Sequence, residues 1–238
     1  MKTAIIVGAT SGIGRSLAKL LADNDYLVGI TGRRTHLLEG IKSENPDKYV
    51  IKILDANHLN AIPANLAQLA QELGKLDLLV ISSGTGDINT ELYFDIEKRT
   101  IDTNVSGFTA VADWAFNYFQ KQKYGQLVAI SSIAGLRGNH QAPSYSATKA
   151  YQINYLESLR IKAAKTSLPI FITDIRPGFV NTDMAKGEGL FWVAPVDKAA
   201  CQIFKAIRKK KKVAYITKRW GVIARLLKSL PNWAIDKI

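Results

Sequence analysis

The stretch that most restricts the fold lies at the amino end. Thr3 to Val7 is a short β-branched and apolar run, Gly8-Ala-Thr-Ser-Gly12-Ile-Gly14 follows, and Arg15-Ser-Leu-Ala-Lys-Leu-Leu-Ala then has helical spacing. Strand, glycine turn and helix in that order begin a βαβ unit. In such a unit Gly8 permits a tight turn, Gly12 lets the backbone approach a pyrophosphate, and Gly14 lets helix and strand pack closely. The free amides of the turn and helix start, over Thr10, Ser11, Gly12, Ile13 and Gly14, then suit a phosphate. A bare glycine triplet also occurs as a generic turn. Its place between a strand and a helix favours the phosphate reading.

The alternation continues. Further strands are expected at Leu27 to Thr31, Tyr49 to Leu54, Asp77 to Ile81, Leu127 to Ile130, Ile170 to Ile175 and Val213 to Thr217. Helical spacing runs through Leu59 to Leu73, Glu91 to Gln122 with an interruption near Gly107, Tyr145 to about Lys165, and Val196 to Lys209. This pattern predicts an α/β domain of three layers, doubly wound on a seven-stranded parallel sheet. The 238 residues, 47% of them hydrophobic, suit one domain over 1–238 with a full core. A cofactor half is expected over about 1–125 and a catalytic and substrate half over about 126–217. Phe108, Trp114, Phe116, Tyr118 and Phe119 exceed what one buried helix face needs, and they fit a subunit interface or an unusually aromatic core helix.

Chemistry-bearing residues cluster at the strands' carboxyl ends. After the second strand comes Gly32-Arg33-Arg34. An acid there bonds adenosine ribose hydroxyls, whereas an arginine accommodates a 2′-phosphate, so the pattern favours the phosphorylated cofactor. Two surface arginines capping a loop are the plainer alternative. Asp55 ends the third strand and could bond an adenine amino group or cap the next helix. Ser82-Ser-Gly84-Thr-Gly86 is a small-residue turn that lets a ligand lie close to backbone.

Tyr145 and Lys149, four apart on a helix, share one face. A free phenol holds its proton to roughly pH 10. An ammonium a few ångströms away favours the phenolate and lowers that value, so the phenol can exchange a proton with a substrate oxygen near neutral pH. Ser132, thirteen positions upstream at a strand end, could steady the same oxygen. The plainer reading is a buried ring beside a solvated charge, and the rest of the chain supplies the context against it.

The net charge of +12 favours anionic partners, yet the run Arg208 to Lys212 reads as a solvated helix end, and no nucleic acid is expected. The single cysteine, Cys201, reads as a buried helix residue in a reducing compartment. The amino-terminal apolar run is too short for a signal peptide, and no run matches a membrane span, so a cytoplasmic protein is expected. His140 reads as a loop residue, and no cluster has metal-ligand spacing. Met184, Leu190, Phe191 and Trp192 lie on a glycine-containing loop that reads as a lid over an apolar substrate. Arg219 to Leu230 is a basic amphipathic helix with Ile223, Leu226, Leu227 and Leu230 on one face, within a C-terminal segment of about 218–238. It fits its own sheet, a partner subunit or a membrane surface.

Taken together, the chain resembles the short-chain dehydrogenase/reductase family from Thr3 to about Thr217. Gly8-x-x-x-Gly12-x-Gly14 matches the family's cofactor loop. Asn104, Ser132, Tyr145 and Lys149 match its catalytic tetrad in order and spacing, and Pro177, Gly178 and Thr182 match the segment holding the nicotinamide. The resemblance implies a Rossmann fold and NADP(H)-dependent interconversion of a ketone or aldehyde with an alcohol. It gives Tyr145 the role of general acid and base, and Ser132 a bond to the substrate oxygen. Lys149 would lower the Tyr145 pKa and bond the nicotinamide ribose. Asn104 would hold a water linking Lys149 to solvent. Thr182 would bond the carboxamide, with Val180 beside it, Asp55 and the Ala56 amide would contact adenine, and Arg33, assisted by Arg34, would meet the 2′-phosphate. A homodimer or homotetramer through the helices around Phe108 and Tyr151 is implied too. The chain departs at Ile81-Ser-Ser-Gly84, where Ser82 and Ser83 are expected to stand in for the family's asparagines and Ser83 and Gly84 to border the cofactor. The alternative is a non-catalytic, cofactor-sensing protein on the same fold.

Overall fold

The computed structural model describes residues 1–185 and 190–235. Gly187 and Gly189 of the expected lid, and the last three residues of the expected C-terminal segment, lie outside the described residues. Seven strands, β1 (Lys2–Val7), β2 (Tyr26–Gly32), β3 (Tyr49–Ile53), β4 (Leu78–Ile81), β5 (Gly125–Ile130), β6 (Ile170–Pro177) and β7 (Val213–Ile216), form one sheet in the order β3-β2-β1-β4-β5-β6-β7. Every pairing is parallel. The order reverses between β1 and β4, and a ligand crevice forms at such a reversal, beyond the strands' carboxyl ends.

Successive side chains of a strand point to opposite faces. Ala4 and Ile6 therefore join one core with α1 (Gly12–Ala22), α2 (Thr35–Glu44) and α7 (Val196–Arg208). Ile5 and Val7 join the other, with α3 (Ile62–Glu72), α5 (Phe108–Gln122) and α6 (Pro143–Lys165). Strands covered on both faces read as continuous apolar runs, which is why the sheet could be traced in the sequence.

Helix α2 was not expected. Leu38 and Ile41 alone bury its inner face, a pattern too short to stand out. The expected helix from Glu91 begins later, as α4 (Phe94–Ile101), and joins α5 through a π-helical segment, Asp102–Gly107. Gly107 is required there because a Cβ would lie 2.4 Å from the Ala56 carbonyl oxygen. Phe108, Phe116 and Phe119 are core residues, so the aromatic surplus reduces to Trp114 and Tyr118, stacked at 5.0 Å and half-buried. Cys201 is exposed, not buried.

On the last long helix, α8 (Trp220–Ser229), Ile223, Leu227 and Leu230 of the expected apolar face are half-buried, and Leu226 departs from it. Trp220 and Ala224 face the domain, while Leu226 is 55% exposed. The reason is the Trp220 indole, which packs under Gly178 so closely that a Cβ there would lie 2.1 Å from the ring. Once that ring is seated, Leu226 is carried to the outside. A short helix, α9 (Asn232–Ile235), follows.

Candidate active site

The turn after β1 opens the crevice. Gly8 has a φ of +90°, and its backbone lies against Ser83, where a Cβ would come within 2.6 Å of the amide nitrogen. Gly14 packs on the Gly8 carbonyl, with room for a Cβ only 2.0 Å from that oxygen. Helix α1 is thereby drawn onto β1, and its first turn carries no acidic residue. Its leading amides have no partner within the helix and offer positive partial charge to an anion. Ser82 and Ser83 brace this corner through their backbones, both amides bonding the Val7 carbonyl at 2.8 Å.

A cleft of ≈ 2380 Å³ runs from this turn across the switch point. All expected catalytic and cofactor residues line it except Gly14, which is spent on packing, and Asn104, which is fully buried behind the wall. At one end Arg34 reaches back to the Thr10 and Ser11 hydroxyls at 2.6 and 2.8 Å, with Arg33 exposed beside it. Arg34, ranked second in the sequence reading, is the one fixed on the glycine turn. Gly32 carries no side chain for a steric reason: a Cβ would meet the Thr10 methyl at 2.6 Å. Asp55 accepts from the Asn57 amide at 3.0 Å, a local turn and not a helix cap. Across the cleft Thr182 faces Gly12, 3.2 Å from where a Cβ would stand, and donates to the Val180 carbonyl at 3.3 Å. Room, unpartnered amides and cations together suit a dinucleotide.

At the other end stand Ser132, Tyr145 and Lys149. The Ser132 hydroxyl accepts from the Ala134 amide at 3.1 Å and is hydrogen-bonded to the Tyr145 phenol. The Tyr145 ring lies against Gly86, where a Cβ would be 2.3 Å from it. The glycines of the Ser82–Gly86 turn thus make room for the chain's own side chains as well as for a ligand. Lys149 Nζ lies 5.7 Å from the Tyr145 ring centre and donates to Ile130 O at 3.1 Å and Gln152 Oε1 at 3.0 Å. Asn104 is held by Thr85, whose amide donates to Oδ1 at 2.9 Å and whose carbonyl accepts from Nδ2 at 2.7 Å, and by Thr148 at 3.1 Å.

Burial pushes the Tyr145 phenol up, and the Ser132 hydrogen bond pulls the other way without cancelling it. The lowering expected from Lys149 is not found, because desolvation of the phenolate dominates at Tyr145. Burial also pulls Lys149 down to about 8, against the charge of Asp174. The phenol is therefore protonated at neutral pH, and the ammonium gives up its proton more readily than an ordinary lysine.

Several supporting residues escaped the sequence reading. Asp174 and Arg176 form a buried pair at 2.6 Å, and Ser131 donates to Asp174 at 2.5 Å. Two charges inside the apolar run of β6, two residues apart and so on one face, were the available signal. Glu97 accepts from the Ser144 amide at 2.9 Å and so caps the first turn of α6, next to Tyr145. Phe179, Phe191, Trp192 and Trp220 form a ring cluster with centres 5.1–5.9 Å apart that fastens the expected lid to α8. Arg137 Nε and Nη2 cap the carboxyl end of α8 through the Leu227 and Leu230 carbonyls at 2.7 and 2.6 Å. Among the described residues, no group of three or more His, Cys, Asp or Glu side chains could hold a metal ion.

The profile of the family described as short chain dehydrogenase matches residues 2–190. An uncharacterized oxidoreductase of Myxococcus xanthus is 35% identical over 188 residues, 77% of this chain and 74% of its own. The 3-oxoacyl-(acyl-carrier-protein) reductase FabG of Staphylococcus aureus is 30% identical over 192 residues, 77% of this chain and 76% of its own. The solved structure titled "ElxO with NADP Bound" superposes with a TM-score of 0.80 at 24% identity, covering 90% of this chain and 96% of that one, which supports the likeness of fold.

Proposed function

The chain belongs to the short-chain dehydrogenase/reductase family, a Rossmann-fold oxidoreductase family that works with a nicotinamide cofactor, and we propose that it interconverts a carbonyl group and an alcohol with NADP(H). The observation that carries this reading is the Ser132–Tyr145 hydrogen bond with the Lys149 ammonium beside the ring. An oxygen within reach of one hydroxyl is within reach of the other.

When bound, the nicotinamide supplies or accepts the hydride. Ser132 holds the substrate oxygen. Tyr145, protonated at neutral pH, donates as that oxygen gains charge, and the Lys149 ammonium favours the phenolate that results. The amides of Gly12 and Ile13 would hold the pyrophosphate, Asp55 and Ala56 the adenine, Lys149 the nicotinamide ribose, and the segment Pro177 to Thr182 the nicotinamide. Leu136, Phe179, Met184 and Leu190 give the cleft an apolar wall, which favours an apolar substrate. A relative named for reduction of a 3-oxoacyl group fits a ketone. NADPH oxidation across a panel of ketones and aldehydes tests the reading. NADPH binding without turnover of any of them would favour a cofactor-sensing protein.

The cofactor preference rests on Gly32, Arg33 and Arg34. A carboxylate has no room at residue 32, and two cations border the adenosine end. A hydrogen bond to a charged group contributes about 1.5–3 kcal/mol, or roughly ten- to hundredfold in affinity. NADPH should therefore bind at least about tenfold tighter than NADH, and Arg33→Ala and Arg34→Ala should each narrow that gap. Equal affinity of the wild-type protein for both cofactors would contradict this reading.

A cytoplasmic single-domain protein, paired or tetrameric through the half-buried stacks Trp114–Tyr118 and Tyr151–Tyr155, completes the proposal. A membrane-surface location has its own support. On α8 the outward Val222 and Leu226 are flanked by Arg219 and Arg225, apolar surface bordered by cations. No helix among the described residues is long and apolar enough to cross a membrane. Vesicles containing anionic lipid should sediment the protein, and Val222→Asn with Leu226→Asn, which keeps every charge, should abolish that. Unchanged sedimentation of the variant would reduce the effect to bulk charge.

A further inference from the structure

One side chain joins the Asn104 carbonyl to the Lys149 ammonium. Gln152 donates through Nε2 to Asn104 O at 2.8 Å and accepts through Oε1 from Lys149 Nζ at 3.0 Å, and it is 1% exposed. Both bonds demand the same amide orientation. Turned over, the amide would set N–H against ammonium and oxygen against carbonyl. The two anchors come from separate elements. Asn104 lies in the π-helical segment, where irregular backbone leaves a carbonyl open to a side-chain donor. Gln152 stands three residues beyond Lys149 on α6, a spacing that puts both on one face.

We propose that Gln152 is a positioning residue for the reaction: it fixes the Lys149 ammonium beside Tyr145 and fills the bridge to Asn104 with a group that relays no proton. The proposal rests on the activity given above. A water in that place could pass a proton between Lys149 and solvent, as the family resemblance implied. An amide neither gives nor takes one near neutral pH, so Lys149 exchanges its proton on the cleft side, where Tyr145 stands. The charged and titratable groups facing Lys149 are Tyr145 from its own helix and Asp174 from β6, with Arg176 bonded to Asp174 at 2.6 Å. Gln152 is the neutral neighbour, so replacing it changes the surroundings of Lys149 and leaves those charges in place.

Acylation of Lys149 by acetic anhydride, followed by mass spectrometry across pH, gives its titration midpoint whether or not any carbonyl is turned over. Gln152→Leu removes the acceptor and should lower the midpoint by about one pH unit, the scale of one hydrogen bond to a charged group. Gln152→Glu, nearly the same shape, places a carboxylate there and should raise it by about one unit or more. With NADPH and a reducible carbonyl, the alkaline limb of kcat should move in the same two directions, with KM little changed. A purely structural Gln152 would lower rate or Tm in both variants and leave midpoint and limb in place. That result, or shifts of one sign in both variants, overturns the proposal. Should Gln152→Leu not fold, the presence or absence of the upward shift in Gln152→Glu decides. A labelling shift without turnover in any variant or in wild type upholds the role of Gln152 in holding Lys149 and counts against the proposed activity instead.

Discussion

Tyr145→Phe is expected to lower carbonyl reduction by about 10²–10⁴-fold, the usual worth of a positioned proton donor, and to leave NADPH binding nearly unchanged. The ring stays. Its contact with Gly86 is made by carbon atoms, so phenylalanine fills the same space. What goes is the hydroxyl, with its bond to Ser132 and the proton it gives. Losing that bond costs about 1 kcal/mol of stability, so Tm should move little while turnover collapses. The split between intact binding and lost kcat separates a proton donor from a wall residue. Ser132→Ala should show a smaller loss in the same direction, because Tyr145 would still face the substrate oxygen. If Tyr145→Phe kept most of its turnover, the proton would come from elsewhere and the assignment of Ser132 and Lys149 around it would lose its basis.

The parts of this arrangement that could be read from the sequence are those set by local spacing. Tyr145 and Lys149 are one helical turn apart, and Gly8, Gly12 and Gly14 follow one strand. Such patterns declare themselves within a few residues. Gln152 shares the helix and was within reach of the same argument, but its meaning comes from Asn104, 48 positions away in the chain. A long-range contact of that kind leaves no periodic trace. Helix α8 illustrates the same point from packing. Its amphipathic pattern permits more than one inward face, and the choice is made by Trp220 fitting beneath Gly178, a contact between distant segments. The phenol failed to follow the sequence argument for a related reason. Spacing predicted the attraction of an ammonium, whereas the opposing cost of burial depends on how the whole cleft closes around Tyr145.

Asp174→Ala should be among the most destabilising single changes outside the apolar core. Asp174 and Arg176 are 4% and 7% exposed, and the carboxylate is bonded to both Arg176 and Ser131. Burial pushes the Asp174 carboxyl above the usual carboxylate range, with Arg176 pulling it back, so the pair sits where each charge depends on the other. Removing one partner of such a pair costs about 3–5 kcal/mol, because the remaining charge stays in low dielectric without compensation. At about 2–4 °C per kcal/mol for a chain of this size, Tm should fall by roughly 6–20 °C. Arg176 also lies 3.3 Å from the Tyr215 hydroxyl and over its ring, which favours the lower part of that range. The double change Asp174→Leu with Arg176→Met removes both charges and should recover most of the loss, since apolar side chains of similar volume often replace a buried pair at little cost. A double variant no more stable than Asp174→Ala would mean that shape, not charge, fills this place. The single variant carries a second readout. Without the carboxylate near it, Lys149 should lose its proton at a still lower pH, so the alkaline limb of reduction should move down in Asp174→Ala even where enough folded protein remains to assay.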